Sequence, residues 1–165
     1  MSNISEKNVK LLGNQARQLG DYGEHLTAHL LIRLGYDVAM VDHVGADLIA
    51  TKDQDKVYAV SVKTRKFKQG SNESRMYNFS EKNFEKLTAF SSRFEFTPLL
   101  AVVTIDDREG DQHESVYVLD VNALKENGFF NETKAGNAIK FSKKNRDELQ
   151  KNCKHFMKTE KISFY

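Results

Sequence analysis

Tryptophan is absent from the 165 residues, and cysteine and proline occur once each, as Cys153 and Pro98. One cysteine excludes an internal disulfide framework and a cysteine-based zinc cage. With a single proline and nine glycines there is no linker-like stretch, so residues 1–165 read as one domain. No apolar run approaches the ~18 residues of a membrane span. Residues 1–10 lack the apolar stretch of a secretory signal, so a cytoplasmic protein is expected. A chain of this length buries enough surface to hold a core without covalent or metal staples.

An excess of one charge is also lacking, since 25 Lys and Arg stand against 23 Asp and Glu. The distribution is uneven, however. Lys63, Arg65, Lys66, Lys68 and Arg75 face only Glu73 within residues 61–75. Residues 106–132 hold eight acids against Arg108 and Lys125, and residues 134–161 hold nine bases against three acids. The small total is a difference between patches. Basic blocks attract phosphate backbones, and they also occur as plain solvated faces.

Residues 1–14 read as a polar lead-in. Apolar residues recur at helical spacing over 15–34, and Gly35 stands where such a helix would stop. Residues 36–41 and 46–51 read as short strands, 53–55 as a turn, and 57–63 as an alternating third strand. A basic loop is expected over 66–74. Ser80 suits the N-cap of a second helix whose apolar stripe is Phe84, Leu87, Phe90 and Phe94. Pro98 introduces 99–105, apolar throughout as in a fully buried strand, and 115–121 gives another strand. Residues 139–141 add a further strand and 145–158 a basic helix. The order predicts an α/β fold, a central mixed β-sheet flanked by helices, with its core over 15–121 and a basic C-terminal helical extension over 122–165.

Chemistry concentrates in GADLIATKDQDKVYAVSVKTR, residues 45–65. Asp47 opens the second strand, where a carboxylate costs strand propensity, and Lys63 closes the third. A hairpin turning at 53–55 brings these two nearly opposite each other, either as a cross-strand salt bridge or as the polar end of a site. On the first helix, Leu19, Gly23, Leu26, Leu30 and Leu34 share one arc, and Gln18, Asp21, His25, His29 and Arg33 the opposite one. Glu24 belongs to neither, lying about 20° from Leu31 and about 40° from Ala28. An unpaired buried carboxylate is costly, so Glu24 either reaches out to solvent or has a partner. His25 and His29 have the i,i+4 spacing of metal ligands but share the polar arc, without an HExxH pattern, and read as surface histidines. Cys153 has no activating neighbour in sequence and reads as packing.

Taken in order, GDYGEHLTAHLLIRLGYDV, GADLIA, YAVSVKTR and, after a helix, PLLAVVTI resemble the PD-(D/E)XK nuclease superfamily. The likeness is to its small restriction-endonuclease-like and Holliday-junction-resolvase-like members, and it runs from Gly20 to Ile105. It implies a restriction-endonuclease-like α-β-β-β-α-β core. It also implies Asp47 and Glu24 as ligands of Mg²⁺ or Mn²⁺, and Lys63 as the lysine of the catalytic motif. Ser61 stands where the superfamily places Glu, Asp or Gln. A serine hydroxyl is neutral and a poorer ligand for a hard cation than a carboxylate. Strand alternation nevertheless keeps it on the face of Lys63. Glu24 is the first candidate to replace the missing acid, with Glu73, Glu81 and Glu85 behind it.

The resemblance therefore implies a metal-dependent nuclease hydrolysing phosphodiester bonds in DNA. In it Arg65, Lys66, Lys68 and Arg75 follow the nucleic-acid backbone, and two copies pair as a homodimer. Ser61 keeps two alternatives open. One is a catalytically inactive protein of the same fold that binds nucleic acid. The other is a protein-interaction or accessory factor of a mobile element, working through the acidic segment 106–114. The phenylalanines fall on core stripes, so no aromatic platform for unpaired bases is expected.

Overall fold

The long first helix explains the placement of everything after it. In the computed structural model, which describes residues 3–53, 55–67, 76–78, 80–106, 113–133, 136–140 and 143–152, α1 (Asn3–Arg33) extends back through most of the expected lead-in. It stops at Gly35, whose φ of 86° no branched residue adopts cheaply. The Tyr36 N–H donates to the Leu31 carbonyl at 3.0 Å and the Gly35 N–H to that of Ile32 at 2.9 Å, a Schellman closure. The chain then reverses into β1 (Asp37–His43), β2 (Ala46–Asp53) and β3 (Lys56–Phe67), an antiparallel meander.

After the short β4 (Met76–Asn78), α2 (Glu81–Phe94) crosses over the sheet, as a parallel connection requires, to β5 (Thr97–Asp106). Ser80 caps α2 by accepting the Asn83 N–H. β6 (His113–Asp120) pairs antiparallel with β5, giving the sheet order β1-β2-β3-β5-β6. The apolar run at 99–105 is now explained, because β5 is central and buried on both faces. β3 is longer than expected and carries Lys66 and Phe67 within the strand. Val121 begins a helix rather than ending a strand, since the Asp120 side chain accepts the N–H groups of Asn122 and Ala123 and caps α3 (Val121–Glu126).

Each face of the sheet has its own core layer. Leu26, Ala28, Leu30 and Leu31 of α1 pack on Leu48, Val60, Val62, Ala101, Val103, Val116 and Val118. Leu87 of α2 packs on Ala59, Leu100, Val102 and Leu119, together with Val121 and Leu124. The C-terminal segment also contributes here: β7 (Phe130–Thr133), β8 (Gly136–Lys140) and β4 form a second, three-stranded sheet, followed by α4 (Lys143–Asn152). Ile139 and Leu149 from that segment are buried in the α2-side layer. None of the described helices is long and apolar enough to cross a membrane.

Two glycines let the helices close in on the strands. A Cβ on Gly23 would fall 1.9 Å from the Thr64 hydroxyl, so α1 lies directly on β3. Gly45 has a φ of 135°, and a Cβ there would meet the Lys86 carbonyl oxygen at 2.8 Å. The tip of the β1–β2 hairpin is thereby pressed against α2.

Candidate active site

The register of β2 on β3 pairs Leu48 with Val60, so the next step along each strand sets Asp47 across from Ser61. The expected partner, Lys63, lies two residues further along β3. Asp47 Oδ2 accepts the Val62 N–H at 2.6 Å and the Ser61 hydroxyl at 3.2 Å. Lys63 Nζ donates to Ser61 Oγ at 3.3 Å and to the Val62 carbonyl at 3.0 Å. The acid and the lysine are thus joined through the serine rather than by the direct salt bridge the hairpin arithmetic allowed. Ser61 is buried, and Asp47 and Lys63 are half-buried. Such a linked set fixes side-chain orientation, because Asp47 Oδ2, Ser61 Oγ and Lys63 Nζ each have defined partners.

Glu24 reaches the same place from α1. It is half-buried and lines, with Asp47, a cleft of about 480 Å³ whose walls are Arg17 and Asp21 of α1 and Met40, Val41, Asp42 and His43 of β1. Its carboxyl is held above the ordinary value by burial first, and then by the negative charges of Asp47 and Asp21. Lys63 and His25 oppose that shift. Four carboxylates against one arginine and one histidine leave the cleft with surplus negative charge.

The other expected residues divide by position. Arg65 is exposed, shares the Lys63 face of β3, and donates to the Thr64 carbonyl at 2.8 Å. Lys66 is exposed on the opposite face. Lys68, Glu73, Arg75 and Cys153 lie outside the described residues. Glu81 and Glu85 are exposed on α2 and do not line the cleft. His25 and His29 are exposed, and His25 Nδ1 sits 2.7 Å from the Asp21 carbonyl oxygen. Of the acidic segment, Glu114 is fully buried and accepts the Tyr22 hydroxyl at 2.6 Å, which removes it from any surface role. The phenylalanine stripe is less buried than expected, with Phe94 47% exposed.

Of the cleft residues that sequence reasoning did not select, Arg17, Asp21, Asp42 and His43 are the polar ones. Asp21 stands on the polar arc of α1, and only the packing of β1 beside α1 turns part of that arc into a wall. A signal for His43 did exist. The β1–β2 turn at Val44–Gly45 puts the end of β1 beside the start of β2, with His43 paired to Ala46 next to Asp47.

Searches with protein-family models and against curated protein sequences match nothing. The fold does match. A Holliday junction resolvase from the archaeal hyperthermophile Archaeoglobus fulgidus superposes with a TM-score of 0.53 over 73% of this chain and 83% of its own, at 17% identity. The fold is restriction-endonuclease-like. At that identity the likeness concerns the arrangement of strands and helices, and the side chains must be read from this chain alone.

Among the described residues no three His, Cys, Asp or Glu side chains converge on a single cation position. Two carboxylates suffice for a hard ion such as Mg²⁺ or Mn²⁺, which keeps several waters and prefers oxygen donors. Glu24 and Asp47 come from different elements and line one cleft, and the charge of Asp47 helps to hold the Glu24 carboxyl above its ordinary value, which a cation between them would relieve. The donor set fits such an ion.

Proposed function

We propose that the chain is a metal-dependent nuclease acting on DNA. The observation that carries the reading is the Asp47–Ser61–Lys63 set, hydrogen-bonded on adjacent strands beside a cleft that also holds Glu24. Asp47 and Glu24 would hold Mg²⁺ or Mn²⁺, which when bound supplies positive charge for the phosphate and makes water more acidic. Lys63, anchored on Ser61 and the Val62 carbonyl, orients the attacking water and offsets negative charge as the phosphorane develops. Arg65 lies on the same strand face and binds a neighbouring phosphate. Lys66, Lys68 and Arg75 contribute sequence-independent backbone contacts. Ser61 keeps the geometry of the missing acid and none of its charge, so its function is to join Asp47 to Lys63. Pairing of two copies belongs to the same reading and is read by analytical ultracentrifugation.

The test is incubation with end-labelled single-stranded and duplex DNA in Mn²⁺. Cleavage by the wild type is expected to fall by about 100- to 1,000-fold or more in Asp47→Ala and in Lys63→Ala. Either variant cutting at the wild-type rate removes this site from consideration. A second reading, a binding protein that does not cut, is favoured by one observation: Asp47 Oδ2 is already engaged by Val62 and Ser61. It predicts binding that weakens steeply with salt and no cleavage in any metal.

A further inference from the structure

His43 is the one histidine among the described residues that lines the cleft. Its ring is exposed on one side and packs on Phe90 of α2 on the other, with centroids 4.7 Å apart. That contact holds it on the α2 face of the sheet, the face of Leu87 and Ala59 and so, by alternation along β3, of Ser61 and Lys63. Its position along the sheet is fixed by pairing with Ala46, and Ala46 precedes Asp47. Lys63 lies beyond Ser61 in the same direction along β3. His43 and Lys63 therefore stand on the two strands flanking β2, near one row of the sheet, with Asp47 between them.

Hydrolysis of a phosphodiester needs two proton-handling positions on opposite sides of phosphorus, because attack and departure are in line. The attacking and leaving oxygens are spanned by ions roughly 4 Å apart in two-metal enzymes. A hydrogen bond of about 2.8 Å at each end extends the span to about 9–10 Å. Two strand spacings of about 4.8 Å supply that separation between β1 and β3.

We propose that His43 is the general acid for the leaving group in this cleft. The proposal rests on the nuclease reading above and assigns the opposite end of the same reaction. Water oriented by Lys63 attacks phosphorus and sheds a proton to bulk solvent, and the bond from phosphorus to the leaving sugar oxygen breaks. The imidazolium of His43 gives its proton to that oxygen, so a free hydroxyl departs, and the ring is reprotonated from solvent through its exposed side. The charged groups that line the cleft with His43 are Asp42 on its own strand, Asp47 on β2, and Arg17, Asp21 and Glu24 on α1. Phe90 is its neighbour on α2.

The scissile bond is first mapped with the wild type in Mn²⁺. An oligonucleotide is then made with sulfur replacing the leaving oxygen, since a thiolate departs without a proton. On ordinary DNA, His43→Ala is expected to lose about 100- to 10,000-fold in single-turnover rate. On the sulfur-bridged DNA it is expected to cut within about threefold of wild type, which also reports that the variant is folded. Asp47→Ala is expected to lose on both substrates. Equal losses by His43→Ala on the two substrates, or no loss on ordinary DNA, overturns the proposal and leaves the nuclease reading standing. A wild type that cuts neither substrate overturns both.

Discussion

Two glutamates of this chain are drawn in from water by the same helix and end in opposite circumstances. Glu114, on β6, is fully buried and accepts the Tyr22 hydroxyl at 2.6 Å. Glu24, two residues after Tyr22 on α1, is only half-buried, yet the charges nearest it include Asp47 and Asp21. Burial alone would have ranked Glu114 as the functional acid. What distinguishes a site is the sign of the charges around a carboxylate, because a satisfied acid is structural and an opposed one has room for a cation.

The contrast can be broken at its pivot. Gly23 separates Tyr22 from Glu24, and a methyl group there would meet the Thr64 hydroxyl at 1.9 Å. Gly23→Ala is expected to destabilise the fold by about 1–3 kcal/mol in urea denaturation, the usual cost of overpacking. Adding Thr64→Ala, which removes the clashing oxygen, should restore part of that loss.

The Glu114 half alone is tested by Tyr22→Phe. Losing one donor to a buried carboxylate is expected to cost about 1.5–3 kcal/mol with no change in metal response. The Tyr22 hydroxyl is pushed up to about 12 by burial, by the hydrogen bond to Glu114 and by its charge. Unfolded tyrosine ionises near 10, so wild-type stability should fall as pH rises from about 10 towards 12, and the variant should lack this slope.

The smallest effect belongs to the cleft. Because the Glu24 carboxyl is raised, the native state binds its proton more tightly than the unfolded chain does. Its stability contribution is therefore present below the ordinary carboxylate range and lost as pH rises through the raised value. Glu24→Gln should melt slightly above wild type at neutral pH, with the difference vanishing near about pH 4. Added Mn²⁺ should raise the melting temperature of wild type and leave that of Glu24→Gln nearly unchanged. An unchanged metal response in the variant would detach Glu24 from the ion.

Much of this was legible in the sequence because the signals were local. Alternation along β3 and the glycine-led opening of β2 marked Asp47, Ser61 and Lys63 as a group. The Ser80 cap and the unbroken apolar run of β5 marked the crossover. Register was harder to read. Pairing Asp47 with Ser61 depends on how the Asp53–Lys56 turn closes, where the ladder shifts and Thr51 Oγ1 bonds the carbonyls of Asp53 and Lys56. Helix α3 was missed although Asp120 is a strong cap, because the alternation of 115–121 continued past it. The acidic wall of the cleft could not be read from α1, since Asp21 becomes a cleft residue only once β1 lies beside it.

Tyr22, Gly23 and Glu24 meet three different strands: Glu114 on β6, Thr64 on β3 and, through the shared cleft, Asp47 on β2. The first helix is keyed into the sheet like a notched shaft. Its rotational setting is therefore not free to vary. One residue inserted between Glu24 and Leu26 would turn the two sides of the key by about 100° relative to each other. The helix would then seat either its hydrophobic stripe or its glutamate, and not both.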